Sequence, residues 1–210
     1  MMRPLAAIGL FGIALNGVAL VAAPMLRSDV DPIATGLSYY AVGPWSGIAI
    51  AAFVALGVAC IAIALALVAA LRGSRLIALG AWLLGLSGLG CIGLAAFPMG
   101  QPGPTTPIGD LHLTAGTLAV TLQLTALVAL NAGFAAEPGW RALFRAGWLL
   151  GGLAAIGAAL QQIAIWRPDL PMPEGVSMRL VLVPLLAWWG VIALRLLHMP
   201  PPAAPKRAAT

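Results

Sequence analysis

The chain has 210 residues, 61% of them hydrophobic and 8% charged, with eleven basic side chains against six acidic ones, and its mean hydropathy is +1.01. A soluble domain carries roughly a quarter charged residues and cannot hide this much apolar surface, so composition excludes a soluble enzyme and a disordered chain. The basic residues lie scattered between apolar runs, so the net charge of +5 does not indicate a nucleic-acid partner.

Six continuous apolar runs reach the roughly 20 residues that cross a bilayer as a helix. They predict an all-α integral membrane bundle of six transmembrane helices. The first run, 4–25, follows Met1-Met2-Arg3 and ends near Val21-Ala22-Ala23, a pattern shared with signal peptides. It is longer than the roughly 7–15-residue signal core, which favours an uncleaved span. The second run, 45–71, exceeds the hydrocarbon thickness and is expected to tilt. Arg72-Gly73-Ser74-Arg75 turns the chain into the third, 76–97, which Pro98 and the Pro/Gly stretch to Pro104 terminate. The fourth covers 111–134, the fifth 146–166 and the sixth 176–197. Residues 1–198 form one transmembrane domain on this reading, and 199–210 a Pro/Ala-rich cytoplasmic tail.

Six spans put both chain ends on one side. That side holds Arg3, Arg72, Arg75, Arg141, Arg145, Arg195, Lys206 and Arg207, while five of the six acids lie opposite. The excess of positive charge marks the cytoplasmic side, so both termini are expected to be cytoplasmic, in a bacterial or archaeal cytoplasmic membrane. The outer loops are longer than the first inner turn, and binding residues tend to gather on such loops.

Polar residues inside the spans are few. On the fourth, Thr114, Thr117, Thr121 and Thr125 share one stripe, while His112 and Gln123 lie nearly opposite. This helix is therefore expected to be central, its polar side chains serving as interhelical hydrogen bonds or as a path from the outer face. Asn16, Gln161 and Gln162 allow the same two readings. Small residues repeat on the third span (Ala81, Gly85, Gly88, Cys91, Ala95) and the fifth (Gly147, Gly151, Ala155, Ala159). Such faces let backbones approach, within the chain or in a homo-oligomer or larger membrane complex. Pro184 is expected to kink the sixth span, before Trp188-Trp189. Trp45, Trp166, Tyr39 and Tyr40 suit an outer aromatic belt, and Trp82, Trp140 and Trp148 an inner one.

Catalytic spacing is sparse. His112 and His198 fall at opposite ends of their spans, about 30 Å apart, and cannot share one haem iron. The sequence contains no HExxH, GxSxG, P-loop or GxGxxG, and no metal or cofactor is assigned. An intramembrane hydrolase would need His112 and outer carboxylates such as Asp110 to converge. Arg179 is placed either to bind an anionic headgroup or to pair with Glu174 or Asp110.

Three segments carry a resemblance: Leu37-Ser38-Tyr39-Tyr40-Ala41-Val42-Gly43-Pro44-Trp45 before span two, Phe97-Pro98 after span three, and Leu111-His112 opening span four. In that order the chain resembles the bacterial and archaeal membrane family known as domain of unknown function 998. It is more distantly similar to six-span proteins of the Frag1/DRAM/Sfk1 type, which are linked to lipid and membrane-trafficking roles. An acid that often follows the Pro in such proteins is replaced here by Met99-Gly100-Gln101. The resemblance implies that Ser38, Tyr39, Gly43, Pro44, Pro98 and His112 meet on the outer face.

Together these readings predict a membrane protein that binds a lipid or other apolar ligand at an outer-facing pocket. The candidate residues are Ser38, Tyr39, Tyr40, Asp110, His112, Gln162 and Arg179, with membrane lipids as partners. The alternatives are an assembly subunit and a His/carboxylate hydrolase.

Overall fold

A computed structural model describes residues 2–71, 73–100, 106–167, 170 and 172–199, with the side chains of 165 and 166 left aside. Residues 200–210 of the tail and residues 101–105 lie outside the described residues. Six helices account for the six apolar runs: α1 (Met2–Leu26), α2 (Ser46–Ala70), α3 (Arg75–Ala96), α4 (Pro107–Ala136), α5 (Phe144–Trp166) and α6 (Glu174–His198). All six are long and apolar enough to cross a membrane. Short 3-10 turns at Leu37–Ala41 and Arg141–Leu143 are the other helical pieces among the described residues.

Helix boundaries follow local chemistry. The Ser74 side chain accepts from the Ile77 amide and opens α3, and Thr106 accepts from the Gly109 amide and opens α4. Pro107 at the first helical position starts α4 four residues before the apolar run begins. α6 continues through the buried Pro184 without a break.

Successive helices pack antiparallel, and α6 returns to α1, so the bundle closes on itself. One face carries residues 27–45, 97–100, 106, 167, 170 and 172–173; the other carries the described chain ends at Met2 and Met199, residues 73–74 and the turn 137–143. They are called the loop face and the terminal face below. On the terminal face Arg3 donates to the Met199 carbonyl at 3.0 Å, and Arg195 to the Gly139 carbonyl at 2.8 Å.

Small residues set the helix spacing. A Cβ on Gly57 would stand 2.6 Å from the Gly88 carbonyl oxygen, and one on Gly88 2.5 Å from that of Gly57. The α2 and α3 backbones therefore touch, and the third-span stripe is used inside the chain. The fifth-span stripe divides: Gly147 and Gly151 lie against Asn131 and Leu127 of α4, whereas Ala155 and Ala159 are exposed. α5 meets α6 through Gly157, where a Cβ would reach the Val181 amide nitrogen at 2.7 Å. α1 belongs to the bundle, with Gly9 against Ile63 and Gly12 against Ala55 and Ala59.

Large apolar side chains point outward from every helix, including Phe11, Met25, Trp82 and Leu149. That is the surface of a fold whose solvent is lipid. Trp45, Trp82 and Trp148 are exposed near helix ends, as belt residues should be. Tyr40 and Trp140 are buried instead, and Trp140 stacks on Phe134 with centroids 4.5 Å apart.

The core holds a polar strand of its own. Trp189 Nε1 donates to Gln123 Oε1 at 2.8 Å, and the Gln123 amide reaches Cys91 Sγ at 3.8 Å. The Thr stripe of α4 departs from expectation, because Thr114, Thr117, Thr121 and Thr125 are all exposed rather than central. Thr114 donates to the Asp110 carbonyl and Thr125 to the Thr121 carbonyl, both at 2.8 Å. A threonine that returns its hydroxyl to the helix four residues back leaves only its methyl outward, so no interhelical partner is needed.

Candidate functional site

The loop face is built around loop one, residues 27–45, and Arg27 is its strut. This buried guanidinium holds both carboxylate oxygens of Asp29 at 2.7 Å and donates to the carbonyls of Val42 and Pro44. The paired hydrogen bonds hold Asp29 below the usual carboxylate range and raise Arg27 further. The turn it braces is unusual: Gly43 has φ +79° and Trp45 φ +60°. A left-handed residue beside Pro44 explains the glycine at 43, and a Cβ there would lie 3.6 Å from the guanidinium.

From this turn the chain presents Ser38 to α4. Ser38 Oγ lies 2.7 Å from Nε2 of His112, and Nδ1 of the same ring lies 2.7 Å from the Phe97 carbonyl oxygen. His112 thus ties together loop one, the end of α3 and the first turns of α4. A carbonyl oxygen only accepts, so Nδ1 carries the proton, and Nε2 of the neutral ring accepts from Ser38. The ring is buried, and Phe53 stands edge-on to it at 6.1 Å.

Phe53 also forms a wall of a cleft of about 40 Å³ lined by Asn16, Ala23, Leu37, Tyr40 and Ala52, among others. The cleft runs between α1 and α2 beneath loop one, with Leu182 of α6 at its side. Its lining is apolar apart from Asn16, whose amide donates to the Ala52 carbonyl at 3.0 Å, and Tyr40. The Tyr40 hydroxyl is buried and has no hydrogen-bond partner. A buried hydroxyl left unpaired is costly.

The remaining candidates lie where α5, α6 and loop one meet. Ser177 donates to Gln161 Oε1 at 2.7 Å, and Gln161 Nε2 to Glu174 Oε1 at 3.3 Å. Gln161, not its neighbour Gln162, makes these contacts; Gln162 is half-buried. Arg179 donates to the carbonyls of Pro32 and Gly175 rather than to Glu174 or Asp110, and its Nη2 is buried without a partner. Tyr39 is half-buried, and burial followed by the charge of Glu174 pushes its hydroxyl pKa up. Asp110 is exposed, whereas His112 is buried. Among the described residues no three His, Cys, Asp or Glu side chains gather as a metal site.

The candidates therefore separate into two clusters, both touching loop one: Ser38–His112–Phe97 beside the Tyr40 cleft, and Tyr39–Glu174–Arg179 toward α6. Arg27 and Asp29 were not legible as site residues, because an Arg-x-Asp pair after a span looks like ordinary interfacial charge. A family model described as "Protein of unknown function (DUF998)" matches residues 6–195. The chain belongs to this family. No curated protein and no solved structure matches the chain. Within this DUF998 protein, the three segments of the resemblance meet through His112, with Ser38 and the Phe97 carbonyl as its two partners.

Proposed function

We propose that this DUF998 protein sits in a bacterial or archaeal cytoplasmic membrane with its loop face outward. There it holds the apolar chain of a lipid in the cleft beneath loop one. One observation carries the reading: an apolar cleft at loop-face depth whose Tyr40 hydroxyl is buried and unpartnered. Lipid chains are the apolar ligands at hand in that solvent, and the lining offers them one hydroxyl and one amide side chain. The loop face carries the excess of acids and the terminal face the excess of basic residues, which supports the orientation. Loop one acts as a fixed roof, with Arg27 bracing its turn and His112 pinning its centre.

The test is photocrosslinking in nanodiscs of phosphatidylethanolamine and phosphatidylglycerol doped with a lipid carrying a diazirine in its acyl chain. Adducts concentrated on residues 16–24 and 49–53 are expected. Adducts spread evenly over the lipid-exposed faces of all six helices would defeat the proposal.

Assembly with a second protein draws on less. The third-span stripe is consumed between α2 and α3, which leaves Ala155 and Ala159 of α5 as the exposed remainder.

A further inference from the structure

Lipid binding leaves a nucleophile unused. Ser38 Oγ donates to Nε2 of His112 at 2.7 Å, and the Nδ1–H on the far side of the ring donates to the Phe97 carbonyl at 2.7 Å. These are the relations that activate a serine: a hydroxyl against a base, and the base oriented through its other nitrogen. Here a peptide carbonyl stands where hydrolases usually place a carboxylate. It fixes the same tautomer and ring plane but brings no full negative charge to stabilise an imidazolium. His112 bonds Ser38 and the Phe97 carbonyl, neither of them an acid, and Asp110 is exposed.

The relay also has the cleft of about 40 Å³ beside it. Phe53 touches the His112 ring and lines the cleft, and Leu37 next to Ser38 lines it too. Ser38 is 8% exposed and His112 1% exposed, so the pair lies at the edge of the core.

We propose that Ser38, with His112 as general base, is the nucleophile for acyl transfer from an ester-linked lipid held in the cleft. The substrate class rests on the lipid reading above. Ser38 Oγ attacks the ester carbonyl carbon while its proton passes to Nε2. The tetrahedral intermediate then collapses, the bond to the lipid's alcohol oxygen breaks, and Nε2 returns the proton to that oxygen. The acyl group remains on Ser38 as an ester. Water, deprotonated by His112, attacks next, releasing the carboxylic acid and restoring the serine. No redox partner is required.

The test uses the full chain in nanodiscs with an alkyl fluorophosphonate probe, read by peptide mass spectrometry. The expected result is one phosphonyl adduct, on Ser38. Labelling should fall at least tenfold in His112→Ala and recover in part with added imidazole, which a purely structural role of His112 does not predict. An unmodified Ser38 in folded wild-type protein overturns the proposal without recourse to any variant, as does equal labelling of wild type and His112→Ala. The diazirine-lipid experiment separates the two readings. Lipid adducts in the cleft with an inert Ser38 would remove the nucleophile and keep the lipid site. A reactive Ser38 with no lipid in the cleft would overturn the lipid-ester assignment together with the lipid site.

Discussion

Replacing Gly88 by alanine tests a backbone-to-backbone helix contact in the bundle. The added Cβ would stand 2.5 Å from the Gly57 carbonyl oxygen, where ordinary contact begins at 3.4 Å. The obstacle is backbone, so relief requires α2 and α3 to part by about 0.9 Å along their shared seam. Overpacking of this kind costs about 1–3 kcal/mol. Gly152→Ala is the matched control, since nothing lies within 4 Å of its added Cβ. It is expected to be neutral, or stabilising by up to about 1 kcal/mol through helix propensity. Both variants can be measured by denaturation in mixed micelles, with maleimide capture of the buried Cys60 and Cys91 reporting unfolding. Gly57→Ala should resemble Gly88→Ala, and the double variant should cost less than the sum, because one separation relieves both clashes. If Gly88→Ala is as stable as wild type, or Gly152→Ala is equally damaging, α2 and α3 do not meet in this register.

Further predictions concern the polar groups. His112→Ala leaves the Ser38 hydroxyl and the Phe97 carbonyl without their partner, at about 1–3 kcal/mol for each buried group left unpaired; hydrogen exchange in loop one should accelerate, and unchanged protection would refute the tether. Gln123→Leu removes the acceptor for the buried Trp189 indole, at a cost of about 1–3 kcal/mol, and Trp189→Phe on that background should cost little more, as a double-mutant cycle in unfolding would show. Asp29 is held below its ordinary range by Arg27, so its contribution is complete above the ordinary carboxylate pKa of about 3.9 and lost as pH falls through the lowered value. Protection of loop-one amides, corrected for intrinsic exchange, should decline over that acidic window in wild type and be already reduced at neutral pH in Asp29→Asn.

The helical architecture was readable because bilayer thickness fixes span length, and six apolar runs became six helices with ends shifted by a few residues. The largest shift, at the start of α4, came from Thr106 and Pro107, a cap and first-position pair lying outside the apolar run. Which face of a helix is buried was harder to read. The Thr stripe of α4 reads as central because buried hydroxyls need partners, yet Thr114 and Thr125 find theirs in their own helix. Ser38 and His112 could be singled out from the family resemblance, but their bond joins residues 74 positions apart, and no local pattern encodes that distance. The role of Arg27 is hidden for a similar reason: its carbonyl acceptors at Val42 and Pro44 come within reach only once the Gly43–Trp45 turn has formed. Burial of Tyr40 and Trp140 likewise arises from tertiary packing, which aromatic-belt statistics do not contain.

The most direct test of the lipid cleft is native mass spectrometry of the chain released from nanodiscs, comparing wild type with Ala49→Trp. Ala49 is buried and lines the cleft, so an indole there fills the space an acyl chain would take. The account predicts a retained lipid mass on wild type that is absent from Ala49→Trp, with Cys60 and Cys91 equally protected from maleimide in both. Equal lipid retention by the two folded proteins, or a bare wild-type mass, would contradict it.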